Sequence, residues 1–257
     1  MIHHLNCASM HPYLPAIDSI VNCLLVESDD GYLLVDTGYG RQDYLDPSPL
    51  MRAFIALLRT PGDLEETAIE QVKSFDIDPE DVRHIVLTHM HLDHAGGLPD
   101  FPWAKVHVHR SEHEMGMRRS LPFGPFYRPE HWAHNPKWIL YEEARIDWYG
   151  FEAIDVLPGV KPRVLFLPLP GHSPGHCAVA IELDHGWLLH CGDATYPFYR
   201  MDDPRQPFGE PPNWLVRWLL GPHTPNLKAL HENHRDEIHF ICGHDPVSFM
   251  DYKTYGY

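Results

Sequence analysis

A layered α/β domain is what this chain of 257 residues predicts, and three observations predict it. Short apolar, β-branched runs of strand length alternate with stretches whose apolar residues recur at helical spacing. Apolar side chains make up 44% of the composition, enough to fill a core, while 18 glycines and 25 prolines stay below a low-complexity level. No repeat of solenoid period and no linker-like segment divides the chain, so residues 1–257 are expected to form one domain.

Residues 19–27 and 32–36 are β-rich and flank Ser28-Asp29-Asp30-Gly31, a polar turn with glycine where positive φ is needed, so a hairpin opens the sheet. Helical spacing follows over 48–59 (Leu50, Phe54, Leu57, Leu58) and 64–75 (Leu64, Ala68, Ile69, Val72). Pro49 suits a first helical turn, and Pro61-Gly62 separates the two helices. The run His84-Ile85-Val86-Leu87-Thr88 has the length of a buried strand and ends in histidines. A strand over 105–109 comes next, then a helix from Ser111, with Glu114 placed for a capping box. Residues 121–151 break this rhythm: nine aromatics among prolines and glycines predict an irregular insertion. Short β-like runs resume at 163–167, 178–183 and 187–191, followed by helices over 214–220 and 224–234 and a last strand over 238–242.

The formal charge of −16 argues against nucleic acid and anionic membranes, which excess Lys and Arg would grip, and favours a small-molecule partner. Five cysteines, with no C-x-x-C pair, are expected to be reduced thiols. The opening residues 1–7 lack the basic and apolar parts of an export signal, and no apolar run reaches about 18 residues, so a cytoplasmic protein is expected. The 21 histidines outnumber Lys and Arg together, and histidine is the commonest metal ligand, so the question becomes where they cluster.

They cluster in Thr88-His89-Met90-His91-Leu92-Asp93-His94-Ala95-Gly96-Gly97, where four ligand-type side chains occupy six positions directly after a strand. Three further strand ends carry a glycine before His or Asp: Gly171-His172 and Gly175-His176, Gly192-Asp193, and Gly243-His244. Strand ends of this kind deliver ligands to one rim of a sheet.

With these motifs the chain resembles the metallo-β-lactamase superfamily of dinuclear metal hydrolases, from Asp36-Thr37-Gly38 to Cys242-Gly243-His244. The resemblance implies a four-layer αββα sandwich carrying the aromatic-rich insertion. It implies one metal on His89, His91 and His172, a second on Asp93, His94 and His244, and Asp193 bridging. Such a donor set suits two divalent ions, Zn²⁺ first, with Fe or Mn as alternatives. The implied reaction is attack by a metal-bridging hydroxide, with Asp93 and Tyr196 as the catalytic candidates. A tyrosine three residues after Asp193 is also found in quorum-quenching N-acyl homoserine lactonases of this superfamily, where it points into the site and a phenol can hydrogen-bond the carbonyl or the opening alkoxide; the alternative is a tyrosine packed at a strand end. A lactone or other carboxylic ester is therefore the favoured substrate.

A glyoxalase II-like thioesterase shares the whole metal set and stays open, although no basic cluster near the C-terminus offers to hold a glutathione carboxylate. A non-catalytic metal-binding protein is the other alternative; ordered spacing speaks against mere sequestration. Asp36 is either an orienter of a ligand or a turn-capping residue. His176, His109 and His113 are expected beside the ligands or at the surface, and Cys177, Cys191 and Cys242 as buried fillers. The insertion is expected to line an acyl-chain pocket and to contribute a homodimer contact.

Overall fold

The computed structural model describes residues 1–13, 18–121, 124–195 and 221–255. Its first sheet runs, in spatial order, β1 (Ile2–Met10), β2 (Ser19–Ser28), β3 (Gly31–Val35), β4 (Val82–Val86), β5 (Lys105–His109) and β6 (Lys137–Tyr141). The second holds β7 (Ile146–Trp148), β8 (Phe151–Val156), β9 (Val164–Pro168), β10 (Cys177–Glu182), β11 (Trp187–His190) and β12 (Ile238–Ile241), each beside its neighbour in sequence. Both sheets are mixed: β3 to β6 pair in parallel, as do β11 and β12, and the other pairs are antiparallel. The helices are α1 (Arg41–Leu45), α2 (Pro49–Leu58), α3 (Ala68–Ser74), α4 (Leu92–Ala95), α5 (Arg110–Arg118), α6 (Thr224–His234) and α7 (Pro246–Tyr255).

Side-chain alternation sets the layers. Along β2, Val21, Cys23 and Leu25 join a core shared with Met51 of α2 and Ile69 and Val72 of α3, while Leu24 and Val26 face the second sheet. Along β9, Val164 and Phe166 meet that inter-sheet core, and Leu165 and Leu167 pack with Leu227 and Leu230 of α6. The result is the expected helix–sheet–sheet–helix sandwich. No helix among the described residues is long and apolar enough to cross a membrane.

Several local expectations are corrected. β1, absent from the sequence reading, is an edge strand recruited by pairing with β2. The insertion at 121–151 is irregular only in its first part, because β6 extends the first sheet and β7 starts the second. It is the crossing between the sheets, and strands this short at sheet edges show little alternation to detect. The helix expected over 64–75 is a 3₁₀ turn at Leu64–Glu66, capped by Asp63, and then α3, because Thr67 between them is extended (φ −65°, ψ 144°). At α5 the cap is His109, whose Nδ1 accepts the Ser111 N–H, in place of the Ser111 box. The helix expected over 214–220 lies outside the described residues.

One polar chain crosses the first sheet through two buried histidines. Asp30 Oδ2 meets His84 Nε2 (3.0 Å), His84 Nδ1 meets His107 Nε2 (3.0 Å), and His107 Nδ1 meets Tyr141 OH (2.9 Å). Burial, with His84 and Lys105 nearby, pushes His107 down to about 3 from its ordinary 6.5. Between those values the unfolded chain binds a proton that the folded chain refuses. Stability from this group is therefore complete above pH 6.5 and declines as pH falls toward 3, by about 1.4 kcal/mol per pH unit at full slope. His107→Gln should flatten the fall of the urea midpoint between pH 7 and pH 4.5; parallel curves for variant and wild type would contradict this.

Candidate metal centre

Seven predicted ligands converge beyond the C-terminal ends of β4, β9, β11 and β12. His89 and His91 follow β4 through Leu87 and Thr88, and the single turn of α4 carries Asp93 and His94. His172 lies beyond β9, Asp193 beyond β11 and His244 beyond β12. Their ligand atoms form three groups in which all atoms lie within 4.8 Å of one another: His89, His91 and His172; His89, His94 and Asp193; and Asp93, His94 and His244. Asp193 touches both sides, with Oδ2 3.4 Å from His172 Nε2 and 3.2 Å from His244 Nε2, and Oδ1 3.4 Å from His94 Nε2. Tyr196 lies outside the described residues.

Close backbone approach makes this convergence possible. Gly192 (φ +52°) stands where a Cβ would come within 2.6 Å of His176 Nε2, so glycine lets Asp193 turn inward. The Asp193 N–H donates to His176 Nε2 (3.0 Å), so His176 is a buried neighbour that steadies the Asp193 loop. His109 caps α5 and His113 lies against Trp138; neither belongs to the ligand groups. All five cysteines are buried free thiols.

Asp36, buried and in a left-handed conformation (φ 57°), accepts the Thr88 N–H on Oδ1 (2.8 Å). Its Oδ2 accepts the Thr88 hydroxyl (2.7 Å) and His94 Nδ1–H (2.8 Å). The Thr88 oxygen in turn meets His89 Nδ1 at 3.0 Å. These contacts assign the Nδ1 protons and leave both Nε2 lone pairs directed to the centre, so Asp36 fixes the orientation of the His94 ring. Sequence reasoning missed Asn22, whose Nδ2 donates to the Cys242 (2.7 Å) and Asp245 (3.0 Å) carbonyls around His244, and whose N–H donates to Gly243 O (2.8 Å). It also missed Glu112. Neither residue stands near a ligand in sequence, and neither belongs to a motif.

The donor set fits divalent metal. His89 Nε2 is buried without a hydrogen bond, His91 turns its Nδ1 to His172 Nε2 (3.0 Å), and His94 Nε2 and Asp193 Oδ1 face each other without forming a hydrogen bond. Buried polar atoms left this way cost about 1–3 kcal/mol each unless something satisfies them. Burial, reinforced by neighbouring imidazoles, holds His89 and His91 well below the ordinary histidine value, in the neutral form that coordinates metal. At His244 burial opposes charging, but Asp193 and Asp93 outweigh it and raise the imidazole to about 9; the carboxylates draw positive charge to this rim.

Aromatic residues reach the centre from one side. The Phe126 and Tyr127 rings lie 5.2 and 5.1 Å from the His91 ring, and Phe54 of α2 lies 6.0 Å from Phe126. Trp138 sits on β6 against His113 and the helix-side core, and Phe123 lies outside the described residues.

The same chain matches the model of the Metallo-beta-lactamase superfamily over residues 16–237. It is 39% identical over 255 residues to a "Probable metallo-hydrolase" of Mycobacterium tuberculosis, covering 95% of this chain and 80% of that protein. It is 27% identical over 232 residues to the N-acyl homoserine lactonase AttM of Agrobacterium fabrum, covering 89% and 83%. Among solved structures, a variant of Bacillus thuringiensis AiiA with N-decanoyl-L-homoserine bound at the active site superposes with a TM-score of 0.68 at 23% identity, covering 97% of this chain and 95% of that one.

Proposed function

The chain belongs to the metallo-beta-lactamase superfamily and is a metal-dependent hydrolase, and from that membership we propose that it opens a lactone, or a related carboxylic ester, at a centre of two divalent ions. The observation that carries the two-ion reading is the pair of triads joined by Asp193, with imidazole nitrogens buried and unsatisfied between them. His89, His91 and His172 would hold one ion, Asp93, His94 and His244 the other, and Asp193 would bridge. Bound there, such ions supply Lewis acidity toward a carbonyl oxygen and bring the pKa of water from 15.7 to about 7.

The chain's own residues do the rest. Asp36 and Thr88 keep the Nε2 atoms of His94 and His89 pointed inward. Asp93, 3.5 Å from His244 Nε2 and partly exposed, is placed to take a proton at Oδ2 and return it to the leaving oxygen. The Tyr196 phenol, three residues past Asp193, donates a hydrogen bond to the carbonyl or the opening alkoxide, a role that rests on its offset in sequence. Phe126 beside His91, backed by Phe54, offers an apolar wall to an acyl chain, and the lactonase relatives support a ring ester with such a chain.

The test is hydrolysis by the metal-loaded protein across lactones, thioesters, phosphodiesters and a chromogenic β-lactam, read by pH change or absorbance, with metal counted per chain. Fastest turnover on lactones with two ions per chain is expected; a preference for thioesters would replace this reading with the glyoxalase II-like one. Phe126→Ala should raise KM for long-acyl lactones about tenfold, the worth of about 1.4 kcal/mol of lost apolar contact, and leave short-acyl substrates unchanged. Equal KM changes for both would remove the acyl wall.

A further inference from the structure

Glu112 has no place in the proposed chemistry, yet it is a fully buried carboxylate on the first turn of α5. Its Oε1 accepts the Met90 N–H (2.9 Å) and the Tyr127 hydroxyl (2.8 Å), and its Oε2 accepts the Ser173 hydroxyl (2.7 Å) and the Gly175 N–H (3.0 Å). Met90 stands between His89 and His91, and Ser173 directly follows His172. Tyr127 lies against the His91 ring. One carboxylate thus ties together the two loops that supply the triad His89, His91 and His172. The fit is close: a Cβ on Gly175 would come within 2.2 Å of the Glu112 nitrogen. No Lys or Arg pairs with Glu112 among the described residues.

We propose that Glu112 is a positioning residue that sets the spacing of His89 and His91 against His172, and so the metal affinity of that triad; the proposal rests on the metal-site reading above. Chemistry selects a carboxylate here. Each oxygen receives one backbone N–H, which cannot reverse to accept, so a glutamine amide turned either way sets its NH₂ against a backbone donor. Buried networks of this kind are stiff only when every member is satisfied. Partners that hold a ligand in place are typically worth about 10–100-fold in metal affinity.

The experiment compares wild type, Glu112→Gln, Glu112→Asp and His91→Ala by Zn²⁺ titration against a chromophoric chelator, by the visible spectrum of the Co²⁺ form and by the melting of the metal-free proteins. Glu112→Gln should weaken one of two ions about 10–100-fold, leave the other at its wild-type affinity and shift the Co²⁺ band. Glu112→Asp, which keeps the charge and both acceptors, should recover part of the affinity and of the band. Wild-type affinities and spectrum in Glu112→Gln, or equal losses at both ions, would overturn the proposal. If Glu112→Gln does not fold, Ser173→Ala removes one donor and keeps the carboxylate: a shifted Co²⁺ band supports the proposal and an unchanged one overturns it. Fewer than one ion per wild-type chain, or His91→Ala binding like wild type, would overturn the metal-site reading and this inference with it. A normal wild type and His91→Ala beside an unaffected Glu112→Gln would sink the Glu112 role alone.

Discussion

Asp193→Ala is expected to lose bound metal and catalytic rate together. Its carboxylate reaches both triads, with Oδ2 between His172 and His244 and Oδ1 opposite His94. Removing it leaves one proposed ion with His89, His91 and His172 and the other with Asp93, His94 and His244 but no shared acceptor, and removes negative charge from the rim where imidazoles crowd. A metal's contribution to stabilising charge in an acyl-transfer transition state is several kcal/mol, so the loss in kcat/KM should be about a thousandfold, equivalent to about 4 kcal/mol. Metal analysis after dialysis and steady-state kinetics on the best lactone check this. A variant that keeps two ions and its rate would show that Asp193 is not shared. Gly243 approaches so closely that a Cβ would stand 2.4 Å from Asp193 Oδ1, so Gly243→Ala should reproduce part of the loss by displacing the carboxylate without removing it.

Asp36→Ala is the second large effect, and it should appear first in stability. Three donors converge on this buried carboxylate: the Thr88 N–H, the Thr88 hydroxyl and His94 Nδ1–H. Alanine leaves the backbone N–H stranded and strips the buried imidazole N–H of its acceptor, while the hydroxyl can turn away. At about 1–3 kcal/mol per stranded buried donor, a loss of about 3 kcal/mol follows, which lowers Tm by roughly 10 °C in a domain of this size. Alanine must also adopt the left-handed φ of 57°, which adds strain. With His94 free to rotate and change tautomer, affinity at the triad of Asp93, His94 and His244 should fall about 10–100-fold. Melting of the metal-free protein and metal titration separate the two effects. Lowered melting with unchanged metal affinity would mean that Asp36 is a simple turn cap.

The convergence of the seven candidate ligands was legible because each is announced locally. His89, His91, Asp93 and His94 crowd one loop after an apolar strand, and His172, Asp193 and His244 each follow a strand and a glycine. Trp138 shows the opposite case. As one aromatic among many in 121–151 it resembled a pocket residue, but pairing of β6 with β5 carries it to the helix-side core. Phe126, from the same stretch, does reach His91. Composition could not separate the two, because which way an aromatic faces depends on the strand it joins.

From the sequence alone came the α/β layering, the seven candidate ligands and their division between strand ends, because hydrophobic period and ligand spacing are properties of short segments. Only the tertiary structure decided that 121–151 is the crossing between two sheets, that Asp36 serves His94, and that Asn22 and Glu112 hold the ligand loops. Asn22 meets residues more than 200 positions away, and Glu112 meets a loop about 60 positions away. A buried polar group takes whichever donors the packed fold places beside it, and that choice is made by sheet pairing across the whole chain, where no local pattern records it.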